Sequence, residues 1–153
     1  MAGKDTVLVV PEKMEKKAGK LAAHVVAVKP GTYNETGGLE FETVPAYNIL
    51  KPFHPKSAEW TGYILHIDGK LIYIAGDTDA TKEAKAVKCD IALVPIGGTY
   101  TMDAKKAAEL INTIRPSVAI PVHYGEFVGK PSDGEVFEEN VKAPIKTEFK
   151  ISF

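Results

Sequence analysis

Residues 91–123 read IALVPIGGTYTMDAKKAAELINTIRPSVAIPVH, and this stretch decides the fold. Ile91 to Pro95 is short and wholly apolar, as a strand buried on both faces is. From Asp103 to Ile114 the apolar residues Ala104, Ala107, Ala108, Ile111 and Ile114 recur at helical intervals. Thr101 or Asp103 offers an N-cap oxygen, and Pro116 stops the helix. Val118 to Val122 is a second apolar run. Strand, helix, strand predicts a right-handed crossover and parallel pairing.

Upstream, Tyr63 to Ile67 and Leu71 to Ala75 flank Asp68-Gly69-Lys70, and Asp-Gly between alternating apolar runs is among the strongest hairpin signals a sequence carries. A helix is expected from about Ala80 to Val87. Near the start, Thr6 to Val10 is a β-branched run ended by Pro11, and Glu12 to Ala22 has helical composition and spacing. His24 to Val28 is a further strand closed by Pro30-Gly31. A polar turn holding Asn34 and Gly37-Gly38 leads into a half-buried strand from Leu39 to Val44. Downstream, a short helix is expected around Glu135 to Val141 and a last strand from Thr147 to Ile151. Hairpins first and βαβ units later give an α/β chain, a mixed sheet with helices on one face. With no repeat or linker, residues 1–153 read as one domain.

Polar residues follow directly on apolar strands at two places, Gly76-Asp77-Thr78-Asp79 and His123-Tyr124-Gly125. Loops beyond the carboxyl ends of strands in partly parallel sheets commonly form the active edge, so Asp77 and His123 are candidates to converge. Carboxylate oxygen and imidazole nitrogen both ligate zinc, manganese or iron. The alternative is a turn aspartate bonding its own backbone and a strand-end histidine held by a hydrogen bond. His54 lies in a Pro-flanked loop with Lys56 and Trp60 nearby, which reads equally as a pocket lip or a structural loop. His24 and His66 read as strand residues without a ligand role.

The composition excludes several classes. With 19 Lys plus Arg against 20 Asp plus Glu and no block of either sign, no nucleic-acid groove is indicated. No secretory or membrane-spanning apolar run is present, so a cytoplasmic location is expected. Cys89 is the single cysteine, which excludes an intrachain disulfide, and it reads as a small apolar residue. The glycines at 76, 97 and 98 lack the spacing of a phosphate-binding loop.

An ordered series covers about residues 5–130: Val44-Pro45-Ala46-Tyr47-Asn48, His54-Pro55-Lys56, Tyr73-Ile74-Ala75-Gly76-Asp77-Thr78-Asp79, Asp90 to Gly98, Tyr100-Thr101-Met102 and Ile120-Pro121-Val122-His123-Tyr124-Gly125. It resembles the metallo-β-lactamase-fold hydrolases of the ascorbate-6-phosphate lactonase-like branch. The resemblance implies an αββα sandwich, an Asp77 that bridges two metal ions, zinc or manganese, and His123 as the last metal-binding histidine. Asn48 falls near the place where many relatives carry another histidine and is included among the metal candidates. His54, Lys56 and Tyr100 become substrate-contact candidates, with packing the other reading of Tyr100.

The early His-x-His-x-Asp-His motif of that superfamily is absent, because the only histidines are His24, His54, His66 and His123. The expectation is a truncated fold whose isolated chain lacks hydrolase activity. A homo-oligomer, or a second chain carrying the missing segment, would cover the exposed sheet and could restore lactone or phosphoester hydrolysis.

Overall fold

The computed structural model describes residues 5–22 and 24–152. Seven strands form one sheet in the order β3-β4-β5-β6-β7-β8-β9: β3 Tyr33–Thr36, β4 Leu39–Pro45, β5 Thr61–Ile67, β6 Lys70–Ile74, β7 Ile91–Pro95, β8 Val118–Val122 and β9 Lys146–Thr147. Pairing is antiparallel from β3 to β6 and parallel from β6 to β9. The two remaining strands, β1 Val7–Pro11 and β2 His24–Val28, make a separate parallel pair. Among the described residues the α-helices are α1 Glu15–Ala18, α2 Lys82–Lys85, α3 Ala104–Ile114 and α4 Asp133–Asn140, with 3-10 turns at Glu12–Met14 and Lys56–Ala58.

The β7-α3-β8 unit has the expected bounds and the expected parallel register, Ile91 opposite Val118 through Pro95 opposite Val122. Asp103 caps α3 by accepting a hydrogen bond from the Lys106 N–H at 2.9 Å. The hairpin forms where Asp68-Gly69 allows it, with φ of 50° and 71° at the two turn residues, the positive pair a type I′ turn requires.

Register assigns each face of the sheet. Ile64, Tyr73, Ala92 and Ala119 stand opposite one another in adjacent strands, and all four are buried in one core cluster with Ala107, Leu110 and Ile111 of α3 and Phe137 of α4. The helices therefore pack on this face. The opposite face carries the rows Phe41, Leu65, Ile72, Ile91, Val118 and Tyr63, Ile74, Leu93, Ile120. Of these only Phe41 and Ile120 are buried, both outside the helix-side cluster.

Four local expectations change. The helix expected over Glu12 to Ala22 is a 3-10 turn, Glu12–Met14, followed by the single turn of α1, which ends at Gly19. Ala18 is the only residue of α1 that is buried, too little apolar area to sustain a longer helix. The polar turn around Asn34 contains β3, an edge strand whose polar residues alternate between exposed and half-buried. The helix expected from Ala80 to Val87 shrinks to α2, which begins late because the Thr81 hydroxyl accepts from the Ala84 N–H and fixes the start. The final strand is confined to Lys146–Thr147. Among the described residues, no helix is long and apolar enough to cross a membrane.

Candidate metal centre

Asp77 and His123 converge as their positions beyond β6 and β8 suggest. His123 Nε2 lies 3.7 Å from Asp77 Oδ1. A second imidazole arrives from the other side, with His54 Nε2 3.5 Å from Asp77 Oδ2. Both separations exceed a hydrogen bond of about 2.7–3.2 Å. They lie near the ~3.3 Å between two donors on one tetrahedral ion with bonds of roughly 2.0–2.1 Å.

Close packing fixes the frame around these side chains. A Cβ at Gly97 would collide with the His123 carbonyl oxygen and with Val128, so only glycine lets β7's end pass beneath the His123 loop. Two polar clamps hold the loop of residues 46–60 against the loop after β6. In the first, Asp79 accepts from the Ile49 N–H at 2.9 Å and from the Lys51 ammonium at 2.6 Å, and Lys51 also donates to the Thr101 carbonyl. In the second, Glu83 accepts from the Tyr47 hydroxyl and from Lys56, each at 2.8 Å. Burial pushes the Glu83 carboxyl up, but the Lys56 ammonium and the Tyr47 hydroxyl more than reverse this and hold it at about 2. Asp79, Lys51, Tyr47 and Glu83 are site-forming residues that sequence reasoning missed. Asp79 lay inside the quoted Gly76–Asp79 run, whereas nothing local marked its partner.

The other candidates separate. Asn48 is buried, its N–H donates to the His54 carbonyl at 2.8 Å, and its amide donates to the Tyr100 carbonyl at 2.9 Å. Its Oδ1 is buried without a partner, an acceptor suited to a cation or a donor proton. Tyr100 packs edge-on against Phe53 at 4.8 Å and, with His123, Tyr124, Glu126 and Phe127, lines a cavity of about 400 Å³. Lys56 does not join this group. Its ammonium is held by Glu83 over the Tyr47 ring, and it lines a separate cavity with Pro45 and Trp60. Burial first, and the neighbouring Asp90 carboxylate second, push the Cys89 thiol up to about 11. It stays protonated at neutral pH and is no nucleophile.

The donor chemistry fits a divalent ion: one carboxylate, two imidazoles and an orphaned amide oxygen. Among the described residues no group of three or more His, Cys, Asp or Glu side chains closes on one point, and each Asp77 oxygen has one imidazole beside it.

Comparison with known proteins bears on the family and the fold. Residues 4–123 match the family described as beta-lactamase superfamily domain. A metal-dependent hydrolase from Symbiobacterium thermophilum is 33% identical over 129 residues, covering 80% of this chain and 58% of the relative. The chain spans about half the length of the curated relatives it matches. A crystal structure from Parabacteroides distasonis, of a protein assigned as a metal-dependent hydrolase, superposes with a TM-score of 0.83 at 32% identity, covering 96% of this chain and 65% of that one. The metallo-β-lactamase fold protein YhfI from Bacillus subtilis superposes with a TM-score of 0.74 over 95% of this chain and 62% of its own, and at 7% identity it bears on the fold alone. The chain belongs to the beta-lactamase superfamily, in the metal-dependent hydrolase family of the metallo-β-lactamase fold.

Proposed function

We propose that these 153 residues carry one part of a divalent-metal hydrolase centre, and that on their own they are catalytically silent. The observation that carries this reading is the pairing at Asp77: each carboxylate oxygen faces one imidazole, whereas a catalytic zinc takes about three protein ligands and a water. When bound, an ion would supply a Lewis acid and lower the pKa of a water at the site. Asp77 and His123 would hold it, and zinc and manganese both suit these oxygen and nitrogen donors. The remaining donors lie outside these residues, on a partner chain or a symmetric second copy in the cytoplasm. In the αββα sandwich of a complete family fold the half-exposed sheet face is the inner one, so the same partner would both cover it and complete the site.

The favoured substrates are a lactone or a phosphoester whose reacting group meets Asp77 and His123 while the rest of the molecule occupies the cavity beside Tyr100. The clamps from Asp79 to Lys51 and from Glu83 to Lys56 keep the His54 loop in register with Asp77. The test is hydrolysis of a simple lactone and of bis(p-nitrophenyl) phosphate with zinc or manganese present. The expected result is no turnover by the chain alone and recovery when a polypeptide bearing His-x-His-x-Asp-His is added. Turnover by a lone protomer would overturn the reading.

A further inference from the structure

We propose that the cavity beside His123 is an aromatic subsite, so that the substrate carries an uncharged aryl group at its non-reacting end and not a phosphorylated sugar. The inference rests on the hydrolase reading above and deepens it by naming what the part of the substrate remote from the chemistry is made of. The cavity measures about 400 Å³, with rings from Tyr100, Tyr124 and Phe127 and aliphatic surface from Val128 and Ile151 on its walls. Small-molecule sites of about 300–1,000 Å³ have this size and this largely apolar lining. His123 belongs to the same wall and faces Asp77. A reacting group held at Asp77 and His123 is therefore continuous with the cavity.

Charge decides which tail fits. Glu126 is the one acidic residue of the lining, and among the described residues no Lys or Arg lines the cavity. A phosphate is held by cationic or N–H donors, and here it would meet a carboxylate of its own sign. Lys56, the lysine that sequence reasoning assigns to the substrate, is engaged by Glu83 and lines a different cavity. An uncharged ring instead gains edge or offset contact with the rings already present.

The floor and the rim of the cavity are built differently. On the floor, a Cβ at Gly97 would collide with the Val128 side chain and one at Gly134 with the Tyr124 hydroxyl, so glycine at both positions lets these walls settle directly on backbone. That close packing preforms the floor. At the rim, Phe127 is 97% exposed, Phe53 42% and Tyr100 39%. Phe53 meets Tyr100 edge-on, and Tyr100 shares the cavity with Phe127. Aromatic surface left in water adds little to the stability of the protomer, and apolar residues gathered at the mouth of a cavity form a patch of the kind that marks a binding groove. A flat uncharged ring seated against Tyr100 and Phe127 would take both out of water.

The test is NMR of the aromatic ring protons of the intact chain, without added metal, titrated with γ-phenyl-γ-butyrolactone, with unsubstituted γ-butyrolactone and with glucose-6-phosphate. The expected result is that the phenyl lactone shifts the rings of Tyr100 and Phe127 and binds at least about tenfold more tightly than either of the others. Phe127→Ala removes a side chain that the fold leaves exposed. It should weaken the phenyl lactone about fivefold while the remaining ring signals keep their positions. Glu126→Lys should tighten glucose-6-phosphate by about threefold or more. Absence of shifts with the phenyl lactone, or equal binding of glucose-6-phosphate at these rings, overturns the proposal and leaves the hydrolase reading standing. Shifts of Phe127 that follow protein concentration without any ligand mark a contact between copies and overturn it likewise. Binding as expected, but no hydrolysis of the phenyl lactone once the polypeptide bearing His-x-His-x-Asp-His is supplied with zinc or manganese, overturns the hydrolase reading and leaves the subsite.

Discussion

The two faces of the seven-stranded sheet are similarly apolar and differ in how they are covered. On the helix side, Ile64, Tyr73, Ala92 and Ala119 lie under α3 and α4 and are buried. On the other side, Leu65, Ile72, Ile91 and Val118 occupy matching positions and are only half-buried, and Ile74 is 37% exposed. An aliphatic face of this kind on a sheet is the surface another layer would cover. One side of the sheet is covered by helices, the other presents half-buried aliphatic rows, and the loops at its edge bring Asp77, His54 and His123 together.

Truncating one buried residue of α3, which packs on the helix side, and one residue of the other sheet face would sharpen the contrast most. Leu110→Ala, at a fully buried position against the helix side, should cost about 2–5 kcal/mol, a fall in Tm of roughly 2–4 °C for each kcal/mol in a chain of this size. Ile74→Ala should cost less than about 1 kcal/mol in the protomer. Equal losses in thermal or urea unfolding would show the second face to be already sealed. Next in size, Ile74→Lys should weaken self-association or partner binding by about tenfold or more in sedimentation velocity, equivalent to about 1.4 kcal/mol, with the protomer still folded. Unchanged association would place the interface elsewhere.

Smaller effects belong to the edge loops. Glu83→Gln breaks the clamp to Lys56 and Tyr47 and should cost about 1 kcal/mol at pH 7. Because the folded-state value is depressed to about 2 from an ordinary 4.5, the carboxylate's contribution is complete above about pH 4.5 and is lost as pH falls towards 2. The Tm difference between wild type and variant should shrink through that window, and a constant difference would exclude the ionised clamp. Smallest of all, Asp77→Asn should change stability by no more than about 0.5 kcal/mol, since its partners are two imidazoles beyond hydrogen-bond distance. A large loss would make Asp77 structural.

What the sequence makes legible here is what short-range chemistry dictates. Asp68-Gly69 permits a single tight hairpin, and the apolar spacing from Ala104 to Ile114 with Asp103 before it defines α3. Asp77 and His123 are legible because each follows an apolar strand directly. β3 is not legible, because an edge strand of sequence YNET, exposed on one face and only half-buried on the other, has no apolar alternation to display. Nor is the approach of His54 to Asp77. It depends on a left-handed residue in the loop and on clamps joining residues 28 and 27 positions apart, Lys51 to Asp79 and Lys56 to Glu83. Such contacts leave no local periodicity. Nor does the sequence show that Lys56, three residues from Phe53 in the same loop, is held by Glu83 on α2.

Native mass spectrometry of the chain with zinc tests the shortage of ligands most directly, because it resolves oligomeric state and bound metal in one spectrum. The expected result is a protomer that loses zinc to a mild chelator, with retained zinc confined to dimeric or partner-bound species. A lone protomer that keeps its full complement of ions through chelation would contradict it.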